Sequence, residues 1–250
     1  MSGRMQDRTA VITGGNSGIG LETARRFVAE GARVAIFGRN QESLDAAVAE
    51  LGERALAVRG DVTRTTDLER LFTTVAERLG KVDALYANAG VANPVEFATA
   101  TEDDIDKAFA INFKGAYLTV QAALPHLAEG ASVVLTTSSL DTKGVPGMSV
   151  YAATKAAVRS LVRSLAAELR PRNIRVNAIC PGPVETPIYA RMGLPGEQLD
   201  GLSGQILEAT PAGRFGRPRE IADAVVFLAS EESSYVLGSE LSVDGGFSQL

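Results

Sequence analysis

The fold is decided by the stretch TAVITGGNSGIGLETARRFVAE at residues 9–30. Its first five residues are small or β-branched, which is typical of a short buried strand. A glycine-rich turn follows, and apolar residues at helical spacing (Leu21, Ala24, Phe27) predict a helix over residues 19–30. A strand, a glycine turn and a helix in this order form the first βα unit of a parallel sheet.

The same alternation continues along the chain. Further strands are predicted at 33–37, 55–58, 82–87, 132–137, 174–179 and 241–243, and further helices at 41–51, 67–79, 103–127, 150–170 and 220–229. Strands that return through helices pair in parallel and cross over with a right hand. We therefore predict an α/β protein with a single-domain, Rossmann-type doubly wound sheet of about seven strands and helices on both faces.

One segment interrupts this rhythm. Residues 183–217 are rich in glycine and proline among apolar residues, and we interpret them as an insert within one domain that spans residues 1–250. Ligands of doubly wound sheets bind outside the carboxyl ends of the strands. The residues that follow each strand are therefore the ones to search for function.

Composition excludes several classes of partner. The 250 residues carry a net charge of −5 with scattered basic residues, which argues against nucleic acid and anionic membranes. The single cysteine, Cys180, excludes an intrachain disulfide, and no apolar run has the length of a membrane span or a signal peptide, so a cytoplasmic location is expected. No cluster has the spacing of metal ligands, and His126 is the only histidine, so no metal is expected.

The first turn has the composition of a phosphate-binding loop. It reads T-G-x-x-x-G-x-G from Thr13 to Gly20, and glycines let both the chain and a pyrophosphate approach closely. The N-terminus of the next helix offers N–H groups to the phosphates. An ordinary tight turn is the alternative interpretation. A dinucleotide would contact Gly14, Asn16, Ser17, Gly18, Ile19 and Gly20.

The residues after the second strand indicate which dinucleotide binds. An NAD site usually presents a carboxylate there, but this chain has Gly38, Arg39 and Asn40. The Arg39 guanidinium suits a 2′-phosphate, although it also suits a solvated position at a helix start. NADP(H) is therefore favoured over NAD, with Arg39 and Asn40 as contacts.

A tyrosine and a lysine open the helix after the fifth strand. Tyr151 and Lys155 are four residues apart and therefore share one helix face. A nearby ammonium is expected to lower the pKa of a phenol, which would then exchange a proton with an alcohol or a ketone oxygen. A chance pair on a helix surface is the alternative.

Together, the glycine turn, the Tyr-x-x-x-Lys pair and the Val243-Asp244-Gly245-Gly246 ending resemble the classical short-chain dehydrogenase/reductase family over essentially the whole chain. Only Gly38 departs from the NAD-type members. The resemblance implies a catalytic tetrad of Asn112, Ser138, Tyr151 and Lys155. Ser138 would polarise the substrate oxygen, with Thr137 and Ser139 as rivals. Asn112 would hold a water next to the lysine, unless it is merely a polar helix residue.

The resemblance also implies further cofactor contacts. Asp61 and Val62 would flank the adenine, although Asp61 also suits a turn cap. Tyr151 and Lys155 would face the nicotinamide ribose. The cofactor floor and the carboxamide site would be formed by Asn88, Ala89, Gly90, Pro181, Gly182, Val184 and Thr186. Members of the family commonly form tetramers, so a homotetramer is expected.

These residues predict an NADP(H)-dependent oxidoreductase that interconverts a ketone and a secondary alcohol. Apolar side chains favour a hydrophobic small-molecule substrate, unless they simply pack the insert; they are Val145, Met148, Ile188, Tyr189, Met192, Leu194, Leu202 and Ile206. The alternatives are a non-enzymatic NADP-binding sensor, an NAD-preferring sugar- or steroid-type dehydrogenase, and a sugar-nucleotide dehydratase or epimerase.

Overall fold

The computed structural model describes residues 3–187, 201 and 204–250. Seven strands form one parallel sheet in the order β3-β2-β1-β4-β5-β6-β7. The strands are β1 (Thr9–Thr13), β2 (Arg33–Gly38), β3 (Ala55–Arg59), β4 (Val82–Ala87), β5 (Leu127–Thr136), β6 (Arg175–Pro181) and β7 (Glu240–Val243). The prediction of a doubly wound α/β sheet is confirmed.

Helices cover both faces of this sheet. They are α1 (Gly18–Ala29), α2 (Gln41–Leu51), α3 (Thr65–Leu79), α4 (Glu102–Phe109), α5 (Gly115–Ala123), α6 (Ser149–Leu169) and α7 (Pro218–Ala229). Among the described residues, no helix is both long and apolar enough to cross a bilayer.

The apolar core lies in two layers, one on each side of the sheet. β1 shows why, because all five of its residues are buried and alternate residues enter different layers. Val11 packs in the layer under α3, α5 and α6, whereas Ala10 and Ile12 pack in the layer under α1, α2 and α7. A strand covered on both faces reads as continuously apolar, as this one does.

The predicted helix over residues 103–127 is wrong in its continuity and its end. A π-helical turn, Ala110–Lys114, separates α4 from α5, and α5 ends at Ala123. The strand β5 then starts at Leu127, not at Ser132, because Leu127 pairs with Val82 across an irregular register. Pro125 cannot continue a helix, and pairing with β4 recruits the residues that follow it.

The other predicted elements are confirmed, with ends shifted by a few residues. The strand order reverses between β1 and β4: β2 and β3 extend the sheet to one side of β1, and β5 to β7 extend it to the other side of β4. A crevice opens at the carboxyl ends of the strands at such a reversal. Because all seven strands run in the same direction, the residues that follow them meet at one edge of the sheet.

Candidate active site

Two adjoining cavities occupy the carboxyl edge of the sheet. The first, which we call the β2-side cavity, has a volume of about 490 Å³ and is lined by residues that follow β1, β2, β3 and β4. The second, the β5-side cavity, has about 420 Å³ and is lined by residues that follow β4, β5 and β6. They share wall residues and so form one cleft across the reversal point; these are Ile19, Asn88, Gly90, Val91 and Thr186.

The glycine turn forms the floor of the β2-side cavity. Gly14 has a φ of +67° and Gly18 a φ of +52°, which L side chains rarely adopt. Gly20 does not line either cavity; a Cβ there would lie 2.2 Å from the Gly14 carbonyl oxygen. The Asn88 amide donates to the carbonyl oxygens of Thr13 and Gly14, at 3.2 and 3.4 Å. The turn is thus held by backbone and amide contacts that need bare glycines.

A missing side chain shapes the wall of this cavity at Gly38. A Cβ at Gly38 would lie 2.6 Å from Asn16 Oδ1, and Asn16 donates through Nδ2 to Ser43 Oγ at 2.7 Å. Asn40 caps α2 by accepting from the backbone N–H of Ser43. Asn16 therefore occupies the space that a side chain at position 38 would need.

Arg39 lies at the open rim of the β2-side cavity. Its side chain is 68% exposed, and its guanidinium is 4.0 Å from the Asp61 carboxylate. Asp61 also accepts, at Oδ1, from the N–H and the hydroxyl of Thr63. Asp61 therefore caps its turn and also lines the cavity, and its contact with an adenine stays a prediction.

Tyr151, Ser138 and Lys155 meet in the β5-side cavity. Tyr151 and Lys155 lie one turn apart on α6, with the Lys155 Nζ 5.8 Å from the centre of the phenol ring. Ser138 and Tyr151 both line this cavity, and the Ser138 side chain acts to lower the pKa of the Tyr151 phenol. Lys155 is 4% exposed and donates from Nζ to the carbonyl oxygen of Thr136 at 2.8 Å. Three of the four predicted catalytic residues are thus brought together.

The expected lowering of the Tyr151 pKa is wrong for the structure as it stands. Burial raises the pKa of the Tyr151 phenol, and the Ser138 side chain opposes this only in part. Burial also lowers the pKa of Lys155 to about 8, against the opposing effect of the Asp141 charge. Burial therefore disfavours the charged form of both side chains.

Asn112 lies behind the cavities and does not line either one. It is 1% exposed, and its Oδ1 accepts from the N–H of Val91 at 2.8 Å. Its Nδ2 donates to the carbonyl oxygen of Val91 at 2.9 Å and to Thr154 Oγ1 at 3.1 Å. Asn112 therefore fixes the Val91 segment to α6, and its amide groups are engaged in these protein contacts.

The wall of the β5-side cavity is mainly apolar. Of the side chains predicted for the substrate, Val145, Met148 and Ile206 line it. The predicted segment Pro181, Gly182, Val184 and Thr186 lines it as well. The remaining predicted substrate residues, Ile188, Tyr189, Met192, Leu194 and Leu202, lie outside the described residues.

Sequence reasoning missed Phe247 as a wall of this cavity. Lys143 donates from Nζ to the Phe247 carbonyl oxygen at 2.5 Å, and the same Nζ lies 4.0 Å from the centre of its ring. The C-terminal segment is thereby fixed to the loop that follows Ser138. An aromatic residue after a Gly-Gly turn carries no helix or strand periodicity, so nothing in the sequence pointed to it.

The donor set of the cleft fits a nicotinamide dinucleotide. The N-terminus of α1 faces the β2-side cavity with the N–H groups and the partial positive charge that suit a pyrophosphate. The other predicted cofactor contacts line one cavity or the other, apart from Gly20. A cavity with polar walls next to one with apolar walls suits a long, amphipathic cofactor with a substrate at one end.

The fold and the site are those of an oxidoreductase with a nicotinamide cofactor. A family model described as enoyl-(acyl carrier protein) reductase matches residues 14–248. The chain is 45% identical over 249 residues to the oxidoreductase asL5 of Sarocladium schorii, covering 99% of this chain and 98% of that relative.

Two solved structures have the same fold. The short-chain dehydrogenase/reductase glucose/ribitol dehydrogenase from Brucella melitensis superposes with a TM-score of 0.92 at 35% identity, covering 99% of both chains. The 3-ketoacyl-(acyl-carrier-protein) reductase from Brucella melitensis, complexed with NADH, gives a TM-score of 0.90 at 31% identity, covering 98% of this chain and 99% of that one. The chain belongs to the short-chain dehydrogenase/reductase family.

Proposed function

We propose that this protein is an NADP(H)-dependent oxidoreductase that interconverts a ketone and a secondary alcohol with hydrophobic substituents. The observation that carries the proposal is that Ser138, Tyr151 and Lys155 line one mainly apolar cavity, which adjoins the glycine-turn cavity. A phenol and a hydroxyl at one point of such a cavity can hold one substrate oxygen between them.

The residues divide the work as follows. The bound nicotinamide supplies or accepts the hydride. Ser138 donates a hydrogen bond to the substrate oxygen, and Tyr151 transfers a proton to or from that oxygen. The raised pKa of Tyr151 keeps the phenol protonated, which suits proton donation during ketone reduction. Lys155 places positive charge next to the phenol and can bond the cofactor ribose.

Replacing the phenol tests the proton-transfer role. Tyr151→Phe is expected to lower kcat by about 10²–10⁴-fold, because general acid–base catalysis contributes about that much. Cofactor binding, followed by nucleotide fluorescence, is expected to change little. Tyr117→Phe on the exposed side of α5 is the matched control. Near-normal turnover by Tyr151→Phe would refute the assignment.

The preference for NADP(H) rests on Gly38 and Arg39. No acid stands at the end of β2, and the exposed Arg39 guanidinium can exchange its contact with Asp61 for a 2′-phosphate. Arg39→Ala is expected to weaken NADPH binding by about ten- to 100-fold, because a hydrogen bond to a charged group contributes about 1.5–3 kcal/mol. NADH binding is expected to stay nearly constant, as is the binding of both cofactors to the control Arg78→Ala.

Equal losses for NADPH and NADH in Arg39→Ala would remove the 2′-phosphate argument. A panel of ketones and secondary alcohols, run with NADPH and NADH side by side, identifies the substrate class and the cofactor together. Turnover confined to sugars would contradict the apolar-substrate proposal, and no turnover of any carbonyl would favour the sensor. The homotetramer and the cytoplasmic location stay predictions, which light scattering and cell fractionation can check.

A further inference from the structure

Two carboxyl groups and a thiol meet behind the catalytic tyrosine and lysine. Asp141 ends the 3₁₀ turn Ser139–Asp141, Glu240 begins β7, and Cys180 lies in β6. One carboxyl oxygen of each acid and the Cys180 Sγ all lie within 4.8 Å of one another. Arg159 reaches the same place from α6, four residues beyond Lys155 and so on the same helix face.

The charges of this group do not balance if both acids are ionised. Arg159 Nε lies 2.8 Å from Glu240 Oε2, which neutralises one carboxylate. Both oxygens of Asp141 and the Oε1 of Glu240 are buried, and no hydrogen-bond donor of the described residues reaches them. Buried oxygens without donors are costly when charged. A single proton held between the two carboxyls satisfies them, as in other close carboxyl pairs.

The proton belongs with Asp141, because Arg159 pairs with Glu240. Burial and the neighbouring Glu240 carboxyl raise the pKa of Asp141 to about 7, against the opposing charges of Arg159 and Lys155. Burial also raises the pKa of the Cys180 thiol to about 12, so the thiol stays neutral.

Asp141 is coupled to the catalytic residues in two ways. Its backbone N–H donates to the carbonyl oxygen of Ser138 at 2.9 Å. Its carboxylate charge raises the pKa of Lys155 and that of Tyr151. The charged or titratable groups around it are Glu240, Cys180, Arg159, Lys155 and Tyr151, with Arg163 across a neighbouring polar cavity and Lys143 on its own loop.

We infer that Asp141 and Glu240 share one proton, and that this pair is a positioning element that sets the charge next to Lys155. The inference rests on the proposed function only for its effect on turnover. While the proton is shared, no charge stands on Asp141. Once the proton leaves, the Asp141 carboxylate holds Lys155 as an ammonium and disfavours the Tyr151 phenolate. The pair therefore adds a step to the pH profile that Tyr151 and Lys155 alone would not give.

The protonation of Lys155 can be followed without substrate. The chain has five lysines, so ¹³Cε-lysine labelling gives a simple spectrum in which Lys155→Met assigns the Lys155 signal. In the wild-type protein we expect two inflections in the Lys155 shift, its own and a second one near neutrality from Asp141. The probe is the proton alone, in the full-length chain.

Two isosteric variants separate a charge effect from a structural one. Asp141→Asn carries no charge, so the near-neutral inflection disappears and the pKa of Lys155 falls by about half a pH unit or more. Glu240→Gln frees Asp141 to pair with Arg159 and ionise in acid, so the near-neutral inflection also disappears but the pKa of Lys155 does not fall. Loss of packing would move both variants the same way. Glu168→Gln, exposed on α6, is the control.

An unchanged Lys155 pKa in folded Asp141→Asn, or a wild-type titration without the near-neutral inflection, would overturn the inference. In turnover, the rising limb of kcat for alcohol oxidation is expected to shift to lower pH in Asp141→Asn and not in Glu240→Gln; equal shifts in both would contradict the role of the pair in the reaction. The NMR titration needs no substrate, so its result is valid even if the protein oxidises no alcohol. A failure of the proposed function can therefore be distinguished from a failure of this inference.

Discussion

At the scale of single residues, the lack of a side chain at Gly38 determines the shape of the cavity wall as specifically as a side chain would. Asn16 fills the space in front of Gly38 and is held there by Ser43. A carboxylate cannot be placed at position 38 without moving the Asn16 side chain. The proposed preference for NADP(H) therefore depends on a contact between two segments, the glycine turn and the end of β2.

Introducing that carboxylate tests the contact. Gly38→Asp is expected to displace Asn16 and to weaken both NADPH and NADH, because the new side chain overpacks the wall. The double variant Gly38→Asp with Asn16→Gly has room for the acid and is expected to bind NADH better than the single variant does. Fluorescence titration of the nucleotides measures both effects. A single variant that binds NADH well would show that Asn16 does not control the wall.

Cys180 provides a second test at this scale. The thiol is 2% exposed and its pKa is raised to about 12 by burial, so it is not the reactive thiolate. Iodoacetamide at neutral pH is expected to leave the folded protein unmodified over hours and to add one carbamidomethyl group after denaturation in urea. Mass spectrometry of the intact chain reads both states. Stoichiometric alkylation of the folded protein within minutes would contradict this burial.

At the scale of elements, the π-helical turn between α4 and α5 places Asn112. The periodicity of residues 103–127 predicts a helix but not its interruption, because an extra residue in one turn leaves the composition unchanged. The predicted end of that helix at residue 127 is wrong for a related reason. The pairing of Leu127 with Val82 is a tertiary contact, and local propensity does not contain it.

Removing the Asn112 side chain tests the element. Asn112→Ala leaves the N–H and the carbonyl of Val91 without their partner, which is expected to cost about 1–3 kcal/mol of stability. Turnover is expected to fall too, since Val91 lines both cavities. Gln121→Ala, exposed on α5, is the control. Thermal denaturation measures the melting temperature, and rate measurements give kcat. If the melting temperature of Asn112→Ala falls but its kcat is unchanged, Asn112 has a structural role only.

At the scale of the whole molecule, the first residues are tied to α1 by an ion pair. Arg4 donates to Glu30 from its backbone N–H and from its guanidinium, at 3.0 and 2.6 Å. The hydrogen bonds from Arg4 lower the pKa of Glu30 to about 2. A carboxyl whose pKa is lower in the folded state stabilises the protein above its unfolded pKa, about 4.3, and this contribution is lost as the pH falls towards 2.

Glu30→Gln is therefore expected to lower the melting temperature by about 2–6 °C at pH 7, since about 1–2 kcal/mol corresponds to such a shift in a chain of this size. The difference from wild type is expected to shrink between pH 5 and pH 2. Scanning calorimetry across this range measures it. A difference that stays constant down to pH 2 would show that the carboxylate charge is not what matters.

The sequence was sufficient for the order of strands and helices and for most residues of the cleft, because parallel strands bring the residues that follow them to one edge. Gly14, Ser138 and Tyr151 follow that rule. Asp141 and Glu240 do not, since neither carries a motif and their meeting depends on β7 packing beside β6. The raised pKa of Tyr151 could not be predicted from the sequence either, because it depends on how deeply the folded protein buries the phenol.

The reversal of the sheet between β1 and β4 has an evolutionary consequence. The residues proposed to contact the adenosine end of the cofactor precede residue 63, whereas the residues proposed to handle the proton all follow residue 111. Contact with the adenosine end of the cofactor and proton transfer are thus encoded by separate stretches of the gene. A recombination event within α3 can exchange the proposed adenosine-contacting residues and leave the proposed catalytic residues unchanged. Related proteins can then differ in cofactor preference and still share one reaction.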